Sequence, residues 1–247
     1  MRFFLLLFIL FFHLIADDKK TPLFIGAGPY IQTQPYKGAD AIIVPSPVIF
    51  FDNGIFYVRW TRVGLYLFGN SKDNFNWGIS LTAQPRPFGY KSSDSAILED
   101  MNRDSSFEAG PALDVEYKNT FFSAVFFHDI LNRSNSYIVR AELGHHLAMG
   151  KLDFYPSIMA IYHADKFNNY YYGVRQSEAT ASRPAYSPSS SIDLAFQTYA
   201  RYAFTEKWSA LLNFRADYLG KEEQNSPIVS DKYMFSGLIS LMYRLEL

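Results

Sequence analysis

The last fifteen residues decide the fold: Tyr233-Met234-Phe235-Ser236-Gly237-Leu238-Ile239-Ser240-Leu241-Met242-Tyr243-Arg244-Leu245-Glu246-Leu247. In an extended strand, successive side chains point to opposite faces. One parity here is apolar throughout except Gly237. The other carries Ser236, Ser240, Arg244 and Glu246. A strand of a soluble protein averages ~5–6 residues, whereas a tilted membrane strand needs ~9–11. A run this long, greasy on one side and polar on the other, suits a wall between lipid and a polar lumen.

The pattern recurs upstream. Trp208, Ala210, Leu212, Phe214, Ala216 and Tyr218 oppose Ser209, Asn213, Arg215 and Asp217. Ile192, Leu194, Phe196 and Tyr202 oppose Asp193, Gln197 and Arg201, and Tyr137, Val139, Ala141 and Leu143 oppose Arg140, Glu142 and Gly144. Strands are expected at 24–33, 40–51, 75–86, 106–117, 121–129, 136–148, 152–164, 191–204, 208–219 and 233–247. The stretch 55–69 is one long strand or two short ones broken near 61–64. Single-chain bacterial barrels usually have an even number of strands, which favours two, for twelve in all; ten is the alternative. Short links near 118–120, 150–151 and 205–207 alternate with long polar ones near 87–105, 165–190 and 220–232. Short turns at one rim and long loops at the other are the bacterial barrel pattern. The expected fold is an all-β, transmembrane, antiparallel up-and-down barrel.

Composition agrees. Aromatics make up 18% of the 247 residues, yet mean hydropathy is −0.08, as when apolar and polar residues alternate. A soluble β-sandwich shares that composition. The formal charge of −1 excludes a strongly basic nucleic-acid binder, and an apolar content of 49% excludes a disordered chain. With no cysteine, disulfide scaffolds, thiolate zinc sites and cysteine nucleophiles are excluded. At the N-terminus, Arg2 precedes an apolar run interrupted only by His13, then Ala16 and a polar Asp17-Asp18-Lys19-Lys20. This is a secretory signal pattern. It assigns residues 1–16 to a signal peptide and 17–247 to the barrel domain.

The polar parity gathers Glu108, Asp114, Glu116, Arg140, Glu142, Asp193, Arg201, Arg215, Asp217, Arg244 and Glu246. Isolated charges in a narrow lumen are costly to desolvate, so mixed signs point to a paired network. Two readings stay open: a salt-bridged plug that fills the barrel, and a narrow pore for small polar solutes. For catalysis, His145 and His146 are adjacent and so face opposite ways. Ser123 or Ser157 with His128 or His163 is the conceivable barrel-wall hydrolase pair, which needs hydrogen-bond contact. The Tyr-rich loop 168–191 either binds a partner or folds over the barrel mouth.

Particular stretches carry a family resemblance. They are Gly26-Ala27-Gly28, Pro35-Tyr36-Lys37-Gly38 and Val44-Pro45, then Tyr170-Tyr171-Tyr172-Gly173-Val174 with Glu178, Ala179, Ser182 and Tyr186. Ser226-Pro227-Ile228-Val229, Gly237-Leu238-Ile239-Ser240 and Tyr243-Arg244 follow. In this order and spacing, from about residue 24 to the end, they resemble the MipA/OmpV family of Gram-negative outer-membrane proteins. Two departures stand out: the chain ends Arg244-Leu245-Glu246-Leu247 rather than in an aromatic residue, and Tyr36-Lys37-Gly38-Ala39 replaces an acidic stretch. The resemblance implies an outer-membrane barrel without a catalytic centre or cofactor, surrounded by outer-membrane lipid. It also implies a scaffold that joins a lytic transglycosylase to a penicillin-binding protein in peptidoglycan growth.

Overall fold

Alternation becomes wall. In the computed structural model, which describes residues 21–86 and 89–247, the strands divide an apolar outer face from a polar inner one. The expected leader, residues 1–16, lies outside the described residues. The strands are β1 (Pro22–Gln32), β2 (Ile42–Asp52), β3 (Phe56–Arg59), β4 (Arg62–Lys72), β5 (Phe75–Arg86), β6 (Ser106–Tyr117) and β7 (Thr120–Asp129). They continue as β8 (Tyr137–His145), β9 (Leu147–Met149), β10 (Leu152–His163), β11 (Ser191–Ala203), β12 (Trp208–Tyr218) and β13 (Tyr233–Glu246). Sequential neighbours pair antiparallel, and β13 pairs with β1 from Pro22↔Glu246 to Gln32↔Ser236, closing the sheet.

Segments β8 and β9 are one wall strand. Both pair with β10 in the same register, Ser157↔Gly144 on one side of His146 and Phe154↔Leu147 on the other. The barrel therefore has twelve strands. The ambiguous stretch is two strands of very unequal length: β3 has four residues and β4 eleven. A bulge shifts the β4–β5 register between Tyr66 and Phe68. It leaves Leu67 and Phe68 both facing out, which a strict period of two does not anticipate.

Parity sets burial directly. On β13, Ile239 is 62% exposed and Leu241 54%, while their neighbours Leu238 and Ser240 are 1% and 2%. With no water in the hydrocarbon layer, wall amides need strand partners, and closure supplies them along the β1–β13 seam. Aromatic pairs mark both rims: Trp208 on Tyr243 at one, with ring centres 4.8 Å apart, and Tyr218 on Tyr233 at the other, 5.2 Å. Two-residue turns follow β4, β6 and β10's predecessor β9. Asp73, Lys118 and Gly150 take the left-handed conformation there, as tight hairpins require. Both strand termini, Pro22 and Glu246, share the short-turn rim, which is periplasmic by the barrel rule.

Inside, glycines let rings lie flat on the wall. Gly64 faces its cross-strand partner Tyr57, and Gly144 faces Phe121. A Cβ at either glycine would collide with the ring. Tyr57 is fully buried and its hydroxyl meets Ser80 Oγ at 3.1 Å.

Candidate functional site

The lumen has two unlike halves. The outer half is stoppered by the long loops, which fold inward rather than stand in solvent. Tyr36, Tyr90, Leu98, Met101, Phe167, Tyr171, Tyr172, Val174, Leu219 and Ile228 pack there against Phe127, Ile138, Met159 and Ile161 of the wall. Helix α1 (Asp165–Tyr171) and the short α2 (Lys221–Gln224) belong to this stopper. Burial pushes the Tyr36 and Tyr172 hydroxyls well above their ordinary value.

Two arginines tie the stopper's loops together. Arg103, 3% exposed, donates from both terminal nitrogens to Glu178 at 2.9 and 2.8 Å and from Nε to the Tyr170 carbonyl at 2.6 Å. Arg183 donates to the carbonyls of Ile97, Glu99 and Glu178. A planar fork of donors suits such multiple capture. Burial alone would raise the Glu178 carboxyl, but the Arg103 bonds and the Arg175 amide outweigh it and hold it below the usual range.

The motif residues meet in this stopper. Tyr170 Oη accepts from the Asp104 amide at 2.9 Å, the Tyr171 carbonyl accepts from Tyr36 Oη at 3.3 Å, and the Tyr172 carbonyl accepts from Ser226 Oγ at 2.6 Å. Gly173 sits where a Cβ would strike the Asn169 carbonyl. Pro227 lies between Ser226 and the fully buried Ile228.

The inner half is a cavity of about 1110 Å³ whose lining reaches the short-turn rim at Pro22, Gly54 and Ser71. Arg59, Arg62, Asp114, Glu116, Glu142, His146 and Arg201 line it. Asp114 is held by Arg59 at 3.2 Å and Arg62 at 3.9 Å. Arg201 binds Asp153 at 2.6 Å, and His146 meets the other oxygen of Asp153 at 3.0 Å while stacking on Tyr155. Glu142 accepts from Ser157 Oγ at 2.8 Å, and Glu116 from Asn76 at 3.5 Å. Arg140 lies over the Phe127 ring, 5.7 Å from its centre, with Nε unpartnered.

Of the charges gathered by parity, Arg215–Asp217 (2.5 Å) and Arg244–Glu246 (2.7 Å) pair with each other, two apart on one strand. The others, Arg140 aside, take polar partners from elsewhere. Glu108 binds Arg86 at 2.6 Å. Asp193 accepts from the Gly220 amide at 2.8 Å and lies 3.7 Å from His163. His163 Nδ1 also lies 3.0 Å from Glu223 Oε1, to which Ser191 Oγ donates.

The ligand atoms of His163, Asp193 and Glu223 all fall within 4.8 Å of one another, the one such cluster among the described residues that could hold a cation. Each already has protein partners, so the cluster acts as a latch tying α2 to β10 and β11. Burial would raise the Glu223 carboxyl, but His163 and Ser191 prevail and lower it. No spacing signal pointed to Glu223, because the four-residue α2 that carries it is too short to show a period. The serine–histidine pairs weighed from sequence are not assembled: His128 faces outward, Ser123 is buried on the inner face, and Ser157 bonds Glu142.

A closed antiparallel wall, greasy outside and charged within, defines an outer-membrane β-barrel. Residues 25–245 match the family described as MltA-interacting protein MipA, and the chain belongs to that family. It is 29% identical to the MltA-interacting protein of Escherichia coli K12 over 222 residues, covering 87% of this chain and 86% of that one. It is 30% identical over 169 residues to the outer membrane protein Omp26La of Vibrio anguillarum, covering 68% and 65%. Among solved structures, the COG4313 outer membrane channel of Pseudomonas putida F1 aligns over 94% of this chain and 97% of its own, with a TM-score of 0.47 and 12% identity. The protein resides in the outer membrane.

Proposed function

We propose that this barrel is a non-catalytic scaffold that offers its periplasmic rim to peptidoglycan-remodelling enzymes. One observation carries the reading: the outer mouth is packed shut with side chains, while the inner end is open and rimmed by short polar turns. The surface left for a partner then faces the cell wall. The name of the E. coli relative supports a lytic transglycosylase as one partner. A penicillin-binding protein is the second partner proposed, on the family resemblance. Pull-down of the detergent-solubilised barrel against both enzyme classes tests the proposal. Enrichment over an unrelated barrel is expected, and its absence overturns it.

The second reading, a narrow channel for small polar solutes, draws on the charged inner cavity. Planar-bilayer recording separates the two. The stoppered mouth predicts a silent bilayer, and stable unitary conductance would favour the channel.

A further inference from the structure

The wall is incomplete in its outer half. Strand β3 ends at Arg59, and the chain turns back at Trp60 and Thr61. Strand β2 consequently meets β3 only at residues 50–52, with one more bond from the Trp60 amide to the Ile49 carbonyl at 2.8 Å. On the other side, β4 accompanies β5 only from Ala83 inward. Among the described residues, β2 over 42–48 and β5 over 84–86 have no strand partner on the sides that face each other. Two strands that fill the wall below are missing above, which leaves a window. Its sill is the β3–β4 turn. At the outer mouth, the loops leading from β1 and β5 meet, with the Tyr36 and Tyr90 ring centres 4.7 Å apart.

The edges of this window are poor in amide donors, the Ile43 amide being the one that β2 keeps there. Because the Ile49 carbonyl serves β3, odd-numbered residues of β2 turn their backbone groups to that side. The next odd positions outward are Pro47 and Pro45. On β5, the Asn74 carbonyl accepts from Lys118 at the start of the β5–β6 ladder, so odd residues face β4. The odd position above Ala83 is Pro85. Proline has no N–H, so three donors that would have projected into the gap are removed. No proline in β2 or β5 faces a paired neighbour. Where prolines do face one, at Pro29, Pro111 and Pro156, the register skips two pairs. The Pro47 carbonyl accepts from Ser46 Oγ at 3.2 Å.

Around the opening, Ile43, Ile49, Val63 and Leu81 are exposed on the lipid face. Behind it stands Trp60, held in the left-handed conformation at φ 57°. Its indole donates to Ser46 Oγ at 3.0 Å and rests edge-on against Tyr30. An edge with proline at 45, 47 and 85 is a poor template for an added strand, and the exposed side chains around it are apolar. We propose that the window holds an acyl chain of the surrounding lipid, laid between β2 and β5 against the Trp60 indole.

The chain has three tryptophans, Trp60, Trp77 and Trp208, which makes the test direct. Trp77→Phe with Trp208→Phe leaves Trp60 as sole emitter; Trp60→Phe with Trp208→Phe leaves lipid-facing Trp77. A third protein, with all three replaced and Tyr199→Trp added, reports the lumen behind a wall paired on both sides; Leu211→Trp serves if that variant does not fold. Each is reconstituted in phosphatidylcholine with and without acyl-chain bromine. Trp60 emission should be lost as strongly as that of Trp77 and far more than that of the lumen reference. Loss of Trp60 emission no greater than the lumen reference overturns the proposal.

Discussion

Replacing Arg103 with alanine should unfasten the outer stopper and leave the wall standing. Its guanidinium joins the β5–β6 loop to the loop after β10 through Glu178 and the Tyr170 carbonyl, and it is almost wholly buried. Breaking a buried pair by removing one partner costs roughly 3–5 kcal/mol. At about 1.4 kcal/mol per tenfold, amide-exchange protection should fall by roughly two to three and a half decades at residues 89–105 and 170–186. Protection of β6 and β13 should not change. Removing both partners, Arg103→Ala with Glu178→Ala, should recover part of the loss, because no buried charge is left uncompensated. Unchanged loop protection in the single variant, or equal loss throughout the wall, would refute the assignment. If the stopper is what silences the barrel, the same variant should show conductance in a planar bilayer where the parent protein shows none.

Other consequences can be measured. The Glu178 carboxyl is held below its ordinary value of 4.5, so its contribution is complete above that pH and is lost as pH falls through the lower folded value. Exchange protection of the 170–186 loop should therefore drop on acidification below about 4.5, and Glu178→Gln should flatten that dependence. Ile239→Arg, on the lipid face of β13, should destabilise the barrel by roughly 2–4 kcal/mol, and Leu245→Arg near the rim by about 0–1; urea unfolding from liposomes measures both. Gly144→Ala should displace the Phe121 ring and cost roughly 1–3 kcal/mol, with Phe121→Ala relieving part of it. Equal stability of the Gly144→Ala variant and the parent would show the ring to be free to move.

Most of the wall was readable because parity is a local property. The period-two pattern from Tyr233 onward predicts which residues meet lipid, and the exposures of Ile239 and Leu238 follow it. What escaped depends on neighbours far away in the chain. Parity places Glu108 and Asp114 inside, but their cations, Arg86 on β5 and Arg59 on β3, are chosen by strand register across the wall. The bulge beside Leu67 breaks the alternation that would have defined β4. Glu223 reaches His163 from the four-residue α2, too short to show a period. Pro45, Pro47 and Pro85 look like ordinary strand irregularities until the short β3 shows which side of each is bare.

The seam between β1 and β13 joins the first described strand to the last. Until β13 is present, β1 keeps an unmatched row of amides and carbonyls, so a chain without β13 cannot make this closure. Completion is thereby tied to the final fourteen-residue strand. A chain that stops before it is left with two raw margins where this barrel has a seam.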